Sequence, residues 1–282
     1  MTMPVALPYG IRDCKLTRYT DGQGSVLADS SVDLPNMTTF SFSETEEFSE
    51  LRGDDRVIAT RGQGAQVEFE LEAGGISFPA WSILTGGEVI ESGTTPNRKR
   101  VIRKLATASR PYFRTEGRAV SDSGGDIHAM VYRCKINDTV EGEFADGEFF
   151  MTSASGLGLP MLDENFDILY DFVQNETGVL IPTTPVLNPL GPPYGLAGEP
   201  LTATTAGLTW ETVPDATGYQ VQKSSDGLTG WTNATGGTVA TNTGSTTITG
   251  LTASTTSYFR VQAVRGTDSS AYSEVISVTQ GA

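Results

Sequence analysis

Residues 66–72 read Gln-Val-Glu-Phe-Glu-Leu-Glu, and their alternation is strict. Val67, Phe69 and Leu71 fall to one side of an extended chain, and Gln66, Glu68, Glu70 and Glu72 to the other. Successive side chains of a β-strand point to opposite faces, so this stretch predicts a strand with one buried and one wetted face. Residues 37–45, MTTFSFSET, repeat the pattern, with Phe40 and Phe42 opposed by Thr39, Ser41 and Ser43. Between the two lies a long charged connection, TEEFSELRGDDRVIATRGQG at 45–64. It forms either a wide loop or an extended hairpin arm, and a compact domain seldom keeps such a length without a use.

Working outward, ISFPAWSILTGG after Gly75 predicts a helix of about two turns, with Pro79 in its first turn and Gly86 or Gly87 as its stop. A basic stretch at 98–118 follows, then two expected strands at 127–136 and 166–176. Between those two, VEGEFADGEFF at 140–150 alternates around Asp146-Gly147, a good hairpin turn. The chain has 282 residues and 32 glycines, with no long window dominated by Ala, Leu, Lys and Glu, so the expected class is all-β.

The formal net charge is −15, and it is unevenly placed. Residues 1–192 hold 16 basic and 28 acidic side chains, whereas 193–282 hold 3 and 6. A field of this sign repels phosphate, which argues against a sequence-reading DNA binder. No apolar run reaches the length of a membrane span, and the N-terminus has neither the basic nor the apolar region of a secretory signal. Synthesis in a reducing cytoplasm is therefore expected, with Cys14 and Cys134 as buried free thiols.

Between Ile181 and Pro200 stand six prolines, Pro182, Pro185, Pro189, Pro192, Pro193 and Pro200, and no Lys or Arg. Proline fixes φ and removes a donor, so 182–199 is read as an extended, semi-stiff linker between a domain at 1–181 and another at 200–282. Beyond it come LTW (208–210), GYQVQKSSDG (218–227), TTITGL (246–251), SYFRVQAV (257–264) and YSEVISVTQ (272–280). This order resembles the fibronectin-type-III family. The resemblance places Trp210 in the core on the second strand, Tyr219 and Val221 on the third, Leu251 before a corner, and Phe259, Val261 and Ala263 on the inward face of the sixth. One position departs: Ser257 stands where the family has its corner tyrosine, and Tyr258 follows it. The corner hydrogen bond is then missing, or supplied by Tyr258 through a bulge.

The first domain is similar to the tail tube proteins of long-tailed bacteriophages. The strand at 37–45, the charged arm, the acidic strand at 66–72 and the helix around Trp81 carry the likeness. FRTEGRAVSDSGGDIHAMVYRCKI (113–136), FADGEFFMTSASG (144–156) and LYDFVQNETG (169–178) continue it. The resemblance implies a β-sandwich or half-barrel subunit with one short helix, six of which form a ring, with rings stacked into a tube in the virion tail. Its implied partners are further copies of itself, a tape measure protein, and tail tip and tail terminator proteins. Double-stranded DNA would pass through the lumen without specific binding. Glu68, Glu70 and Glu72 are the candidate lumen-lining residues, the alternative being an ordinary solvated strand face. Arg52, Asp54, Asp55, Arg56 and Arg61 are the candidate inter-subunit arm, the alternative being a solvated loop.

No catalytic, metal or cofactor constellation is expected. His128, the single histidine, lies in a strand pattern that puts Met130, Tyr132 and Cys134 on its face, as a core or interface histidine would. No G-x-S-x-G, H-E-x-x-H, Walker loop or Cys/His cluster occurs. Arg52-Gly53-Asp54 spells an integrin-binding tripeptide, a chance match of common residues. The basic cluster at 98–118 is expected to pair with acidic side chains within or between subunits. Two other readings stand beside the tube subunit. One is an extracellular carbohydrate- or surface-binding module, using Trp231 and Tyr194 to stack sugars. The other is a baseplate or decoration protein. Weak host-surface glycan contact by the C-terminal domain is also expected.

Overall fold

The computed structural model describes residue 3, residues 5–162 and residues 167–282. The chain divides between Leu187 and Asn188 into two compact units. In the first, the strands are β1 (Pro8–Arg18), β2 (Val32–Asp33), β3 (Met37–Gly53) and β4 (Arg56–Gly74), followed by helix α1 (Phe78–Thr85). Strands β5 (Glu88–Ser92), β6 (Lys99–Arg103), β7 (Phe113–Ser121), β8 (Asp126–Lys135), β9 (Val140–Gly142), β10 (Met151–Leu159) and β11 (Tyr170–Asn175) complete it. Phe166, at the start of the strand expected over 166–176, lies outside the described residues.

One sheet runs β2-β1-β7-β8-β10-β4-β3, with β11 beside β8 and β9 beside β10. All its pairings are antiparallel. Its two ends curl toward each other around a core of Leu16, Val67, Phe69, Leu71, Phe113, Val131 and Ala154. Phe69 meets Phe113 edge-on at 5.9 Å, and the Phe40 ring lies so close over Gly117 that a Cβ there would come within 2.3 Å of it. The result is the expected all-β class, with one helix among the described residues.

The chemistry of α1 follows its sequence. Pro79 stands in the first turn, where a missing N–H costs nothing, and Ala80, Ile83 and Leu84 are buried. Gly86 ends the helix at φ 75°, its N–H donating to the Ser82 carbonyl at 2.8 Å. A Cβ at Gly86 would lie 2.3 Å from the Ser109 carbonyl oxygen, so only glycine fits. The helix packs on β5 and β6, a separate two-stranded sheet.

Cys14 and Cys134 are free, fully buried thiols in the core, as expected. Burial pushes the Cys14 thiol up to about 12 and raises Cys134 as well. The face expected for His128 needs one correction. The β7–β8 register slips between the pairs Phe113–Cys134 and Thr115–Val131, so three residues of β8 oppose two of β7. That bulge moves Cys134 into the core beside Val131 and separates it from His128.

The second unit holds two packed sheets, β12 (Ala197–Thr202), β13 (Thr205–Thr209) and β16 (Ser245–Ile248) against β15 (Thr232–Val239), β14 (Gly218–Ser224), β17 (Thr256–Arg265), β18 (Asp268–Ser269) and β19 (Ile276–Thr279). Trp210, Tyr219, Val221, Leu251, Phe259, Val261 and Ala263 are all buried in its core, where the sequence pattern put them. Trp210 meets Tyr219 edge-on at 5.2 Å. Strand β17 pairs with β14 without a register shift from Gly218–Val264 to Ser224–Tyr258, so no bulge brings Tyr258 to the corner. A different tyrosine makes a comparable lock. The Tyr219 hydroxyl accepts the Val213 N–H at 2.7 Å and donates to Asn242 Oδ1 at 2.5 Å.

The proline-rich segment is not a free spacer, which corrects the linker expected over 182–199. Its first part lies on the first unit: Ser31 donates to the Pro182 and Thr183 carbonyls, and Arg114 Nη1 donates to the Val186 carbonyl at 2.5 Å. Its second part belongs to the second unit, where Leu190 joins the core and β12 starts at Ala197. Proline bars these residues from a sheet interior but leaves their carbonyls free to accept, and carbonyls are what the first unit grips.

Candidate functional site: the polar sheet face and free edge of the first unit

Strands β3, β4 and β10 place the expected lumen residues on one face. Glu70 stands opposite Ser41 on β3 and Ser155 on β10, and Glu72 stands opposite Thr39 and Ser153. Glu68 lies between Ser43 and Leu157. A row of carboxylates thus runs down the middle strand, flanked by short hydroxyl side chains except at Leu157. Its members are about 7 Å apart, two residues of strand. Glu68 and Glu70 are exposed, while Glu72 is half-buried and accepts from Thr38 and Thr39 at 3.0 and 3.1 Å. The opposite face carries Val67, Phe69 and Leu71 into the core, so alternation alone forces all three acids outward.

Strand β3 ends the sheet, and its outer edge has no strand partner among the described residues. Its seventeen residues make a long edge, the kind that templates pairing with another chain. Beyond Val67, β4 leaves β10 and pairs only with β3, so the charged connection is an extended hairpin rather than a loop. The ribbon from Glu46 to Ala65 reaches about 30 Å past the sheet. Asp54 and Asp55 turn it, both left-handed at φ 50° and 59°, a turn whose twist suits two strands.

The candidate arm residues cluster at this tip. Gly53 pairs with Arg56 and Arg52 with Val57, and Arg61 stands opposite Ser49. The one ion pair they form among the described residues, Arg52 to Glu50 at 2.7 Å, is exposed and contributes little. The sequence reading stressed charge and missed the apolar content. Phe48, Leu51, Val57 and Ile58 are 45–63% exposed. A bulge sets Val57 across from Arg52, so Phe48 and Val57 share one face and Leu51 lies on the other, and neither face is purely solvated. A two-stranded ribbon is marginal alone in water, and one that bares apolar side chains on both faces gains by being covered.

A buried polar cluster lies elsewhere, on the outer face of β7 and β8. Asp126, 0% exposed, pairs with Arg118 at 2.6 Å and accepts from Asn175 Nδ2 and the Val179 N–H. Burial alone would raise its pKa. The hydrogen bonds from Arg118, Asn175 and Val179, with His128 nearby, outweigh that and hold the carboxyl at about 2. His128 Nδ1 lies 2.8 Å from Glu116 Oε1 and Nε2 lies 3.0 Å from the Val179 carbonyl. A ring protonated on both nitrogens donates to both oxygens, and a neutral ring leaves one unserved. Every partner outside β7 and β8 is on the segment after Tyr170, so the cluster straps that segment to the sheet rather than opening to a cavity. Among the described residues no group of three or more His, Cys, Asp or Glu side chains is placed to hold a metal ion.

In the second unit, the Arg260 guanidinium stacks on Trp231 at 4.2 Å and on Tyr272 at 3.8 Å. It also donates to Gln222 Oε1 at 3.1 and 2.8 Å. One face of Trp231 is therefore taken, which removes half of the sugar platform expected there.

The second unit is a fibronectin type III domain. The model of that family matches residues 191–279. A Fn3-like protein from Clostridium thermocellum is 25% identical over 33% of this chain and 94% of that one, with a TM-score of 0.30. The FN5 domain of Drosophila Lar is 22% identical over 33% and 98%, at 0.28. The sixth fibronectin type III domain of a human fibronectin type III domain containing protein 3 is 28% identical over 34% and 87%, at 0.26. No curated protein sequence matches the chain.

Proposed function

We propose that the chain is a tube-forming structural subunit of a long-tailed bacteriophage, with six copies closing into a ring and rings stacking into a tail tube. The observation that carries the proposal is β3, seventeen residues long, without a strand partner on its outer edge among the described residues and prolonged into a ribbon that its own sheet does not cover. Closing a ring of subunits removes every such edge at once, which an isolated subunit cannot do.

The acidic face supports the same reading. In a ring closed through β3, the row Glu68, Glu70 and Glu72 would be repeated around a water-filled channel. Carboxylates spaced about 7 Å apart repel phosphate over roughly a Debye length, about 8 Å, and offer DNA no cation to hold it. Hydroxyls on both sides of Glu70 and Glu72 keep the wall wetted without adding charge. The fibronectin type III unit then decorates the outside of the tube, since a sandwich of that size does not fit a channel sized for DNA. The role is structural rather than catalytic.

Negative-stain electron microscopy of the purified protein, with and without residues 52–62, tests the proposal. Six-fold rings or tubes from the full chain, and folded monomers from the deletant, are the expected result. Monomers from both, or normal tubes from the deletant, would sink it.

A further inference from the structure

Two hairpins of the first unit bear opposite charge, and among the described residues much of it is unpaired. The β9–β10 hairpin holds Glu141, Glu143, Asp146 and Glu148 and no basic residue over 140–150. All four are exposed, and among the described residues none is in an ion pair. Its tip also bares two of the most exposed aromatic rings of the molecule, Phe144 at 88% and Phe149 at 94%. Phe150 anchors the base, packed on Trp81 of α1 at 6.3 Å and on Phe144 at 4.7 Å. The tip is thus held out by its base while its own apolar surface stays in water, a costly arrangement for an isolated protein.

The β5–β6 hairpin is the complement. Over 88–104 it carries Arg98, Lys99, Arg100, Arg103 and Lys104 against Glu88 and Glu91. Glu91 is used internally by Arg98 and Arg100. Lys104 Nζ donates to the Thr85 and Ala108 carbonyls and meets no carboxylate among the described residues. Among the described residues Lys99 has no acidic partner, and Arg103 stands across from Glu88 without forming an ion pair. Leu105, 60% exposed, adjoins this basic ridge and gives an apolar surface for a ring to cover.

We infer that the acidic, aromatic β9–β10 tip docks on the basic β5–β6 hairpin of a second copy of this chain, with Phe144 and Phe149 covering Leu105. The contact joins two different surfaces, so it repeats head to tail and propagates an assembly that the β3 edge alone does not specify. Opposite charge steers the encounter and fixes register, and the buried rings hold the contact. The inference rests on the proposed self-assembly.

Charge reversal tests it. Variant one carries Glu141→Lys, Glu143→Lys and Glu148→Lys; variant two carries Lys99→Glu and Arg103→Glu; a third combines all five. All these side chains are exposed, and circular dichroism and thermal melts check that each variant folds. Light scattering and electron microscopy then read assembly at about 50 mM and 500 mM salt, where screening lengths differ about threefold. Assembly should fall at least tenfold for each single set and return in the combined variant, because reversed tip meets reversed ridge. High salt should weaken wild-type assembly and narrow the gap. Unimpaired assembly of both single sets, or no rescue in the combined variant, overturns the inference while wild-type rings leave the tube reading standing. A wild type that stays monomeric removes the tube reading instead. A direct Phe144→Ser, Phe149→Ser variant should also fail to assemble, and normal assembly from it counts against the docking contact.

Discussion

Replacing Asp126 with Asn should loosen the strap after β11 without unfolding the core. Asp126 serves three donors, Arg118 at 2.6 Å, Asn175 at 2.8 Å and the Val179 N–H at 2.7 Å, and is itself wholly buried. Asn keeps the shape and one acceptor oxygen, so it can serve one or two of these, but it removes the one carboxylate that, among the described residues, pairs with Arg118. Arg118 is 14% exposed and would be left with a largely buried, uncompensated charge. Breaking such a pair costs about 3–5 kcal/mol, and retention of shape puts Asn at about 3. Local opening of the segment 176–187 should become about a hundredfold more frequent, since 1.36 kcal/mol is one factor of ten. Hydrogen exchange read by mass spectrometry should therefore show protection at Val179 falling by about two orders of magnitude at pH 7, with Val67–Leu71 unchanged. The pH dependence has a defined sign. The carboxyl is held at about 2, below its ordinary value of 3.8, so the stabilisation is complete above pH 4–5 and fades as pH drops through 2. Wild type and variant should converge at the acid end. Equal protection of Val179 in both proteins at pH 7 would refute this account of the strap.

Four further outcomes are expected. Glu68→Lys, Glu70→Lys and Glu72→Lys together should fold, with a melting temperature within a few degrees of wild type, but stall DNA passage in phage carrying such tails, because lysines hold phosphates by direct pairing; wild-type infectivity would reject the lumen assignment. Truncation after Leu187 should leave a folded first unit that still assembles, whereas truncation at Pro185 also removes the Val186 carbonyl that Arg114 grips and should lower stability by about 1–3 kcal/mol; thermal melts of the two truncations compare them. Trp210→Ala should destabilise the fibronectin type III unit by about 3–5 kcal/mol through its cavity, and leave exchange in the first unit untouched. Cys14 and Cys134 should react with a thiol reagent at pH 8 only after denaturation, and rapid labelling of the native protein would contradict their burial.

Strict period-two alternation was enough to find β3, β4 and β8 and most strands of the second unit, because a half-buried sheet face imposes that period on the residues themselves. It also determined that Glu68, Glu70 and Glu72 point away from the core, since Val67, Phe69 and Leu71 must point into it. The short helix was legible from Pro79 and Gly86, whose backbone limits are local. Strand β15 was not, because TNATGGTV buries only Ala234 and Gly237, with Val239 packing at its end, and has no apolar rhythm to show it. The arm could be bounded in sequence but not shaped. Whether 45–64 loops or pairs depends on β3 and β4 staying in register past the point where β10 departs, a contact between residues far apart in the chain. The strap shows the same limit more sharply. Five prolines made 182–199 look like a semi-stiff linker, and only the fold brings Ser31 and Arg114 to its carbonyls. Composition reports what a segment can do by itself, whereas a buried charge such as Asp126 is decided by what other segments place around it.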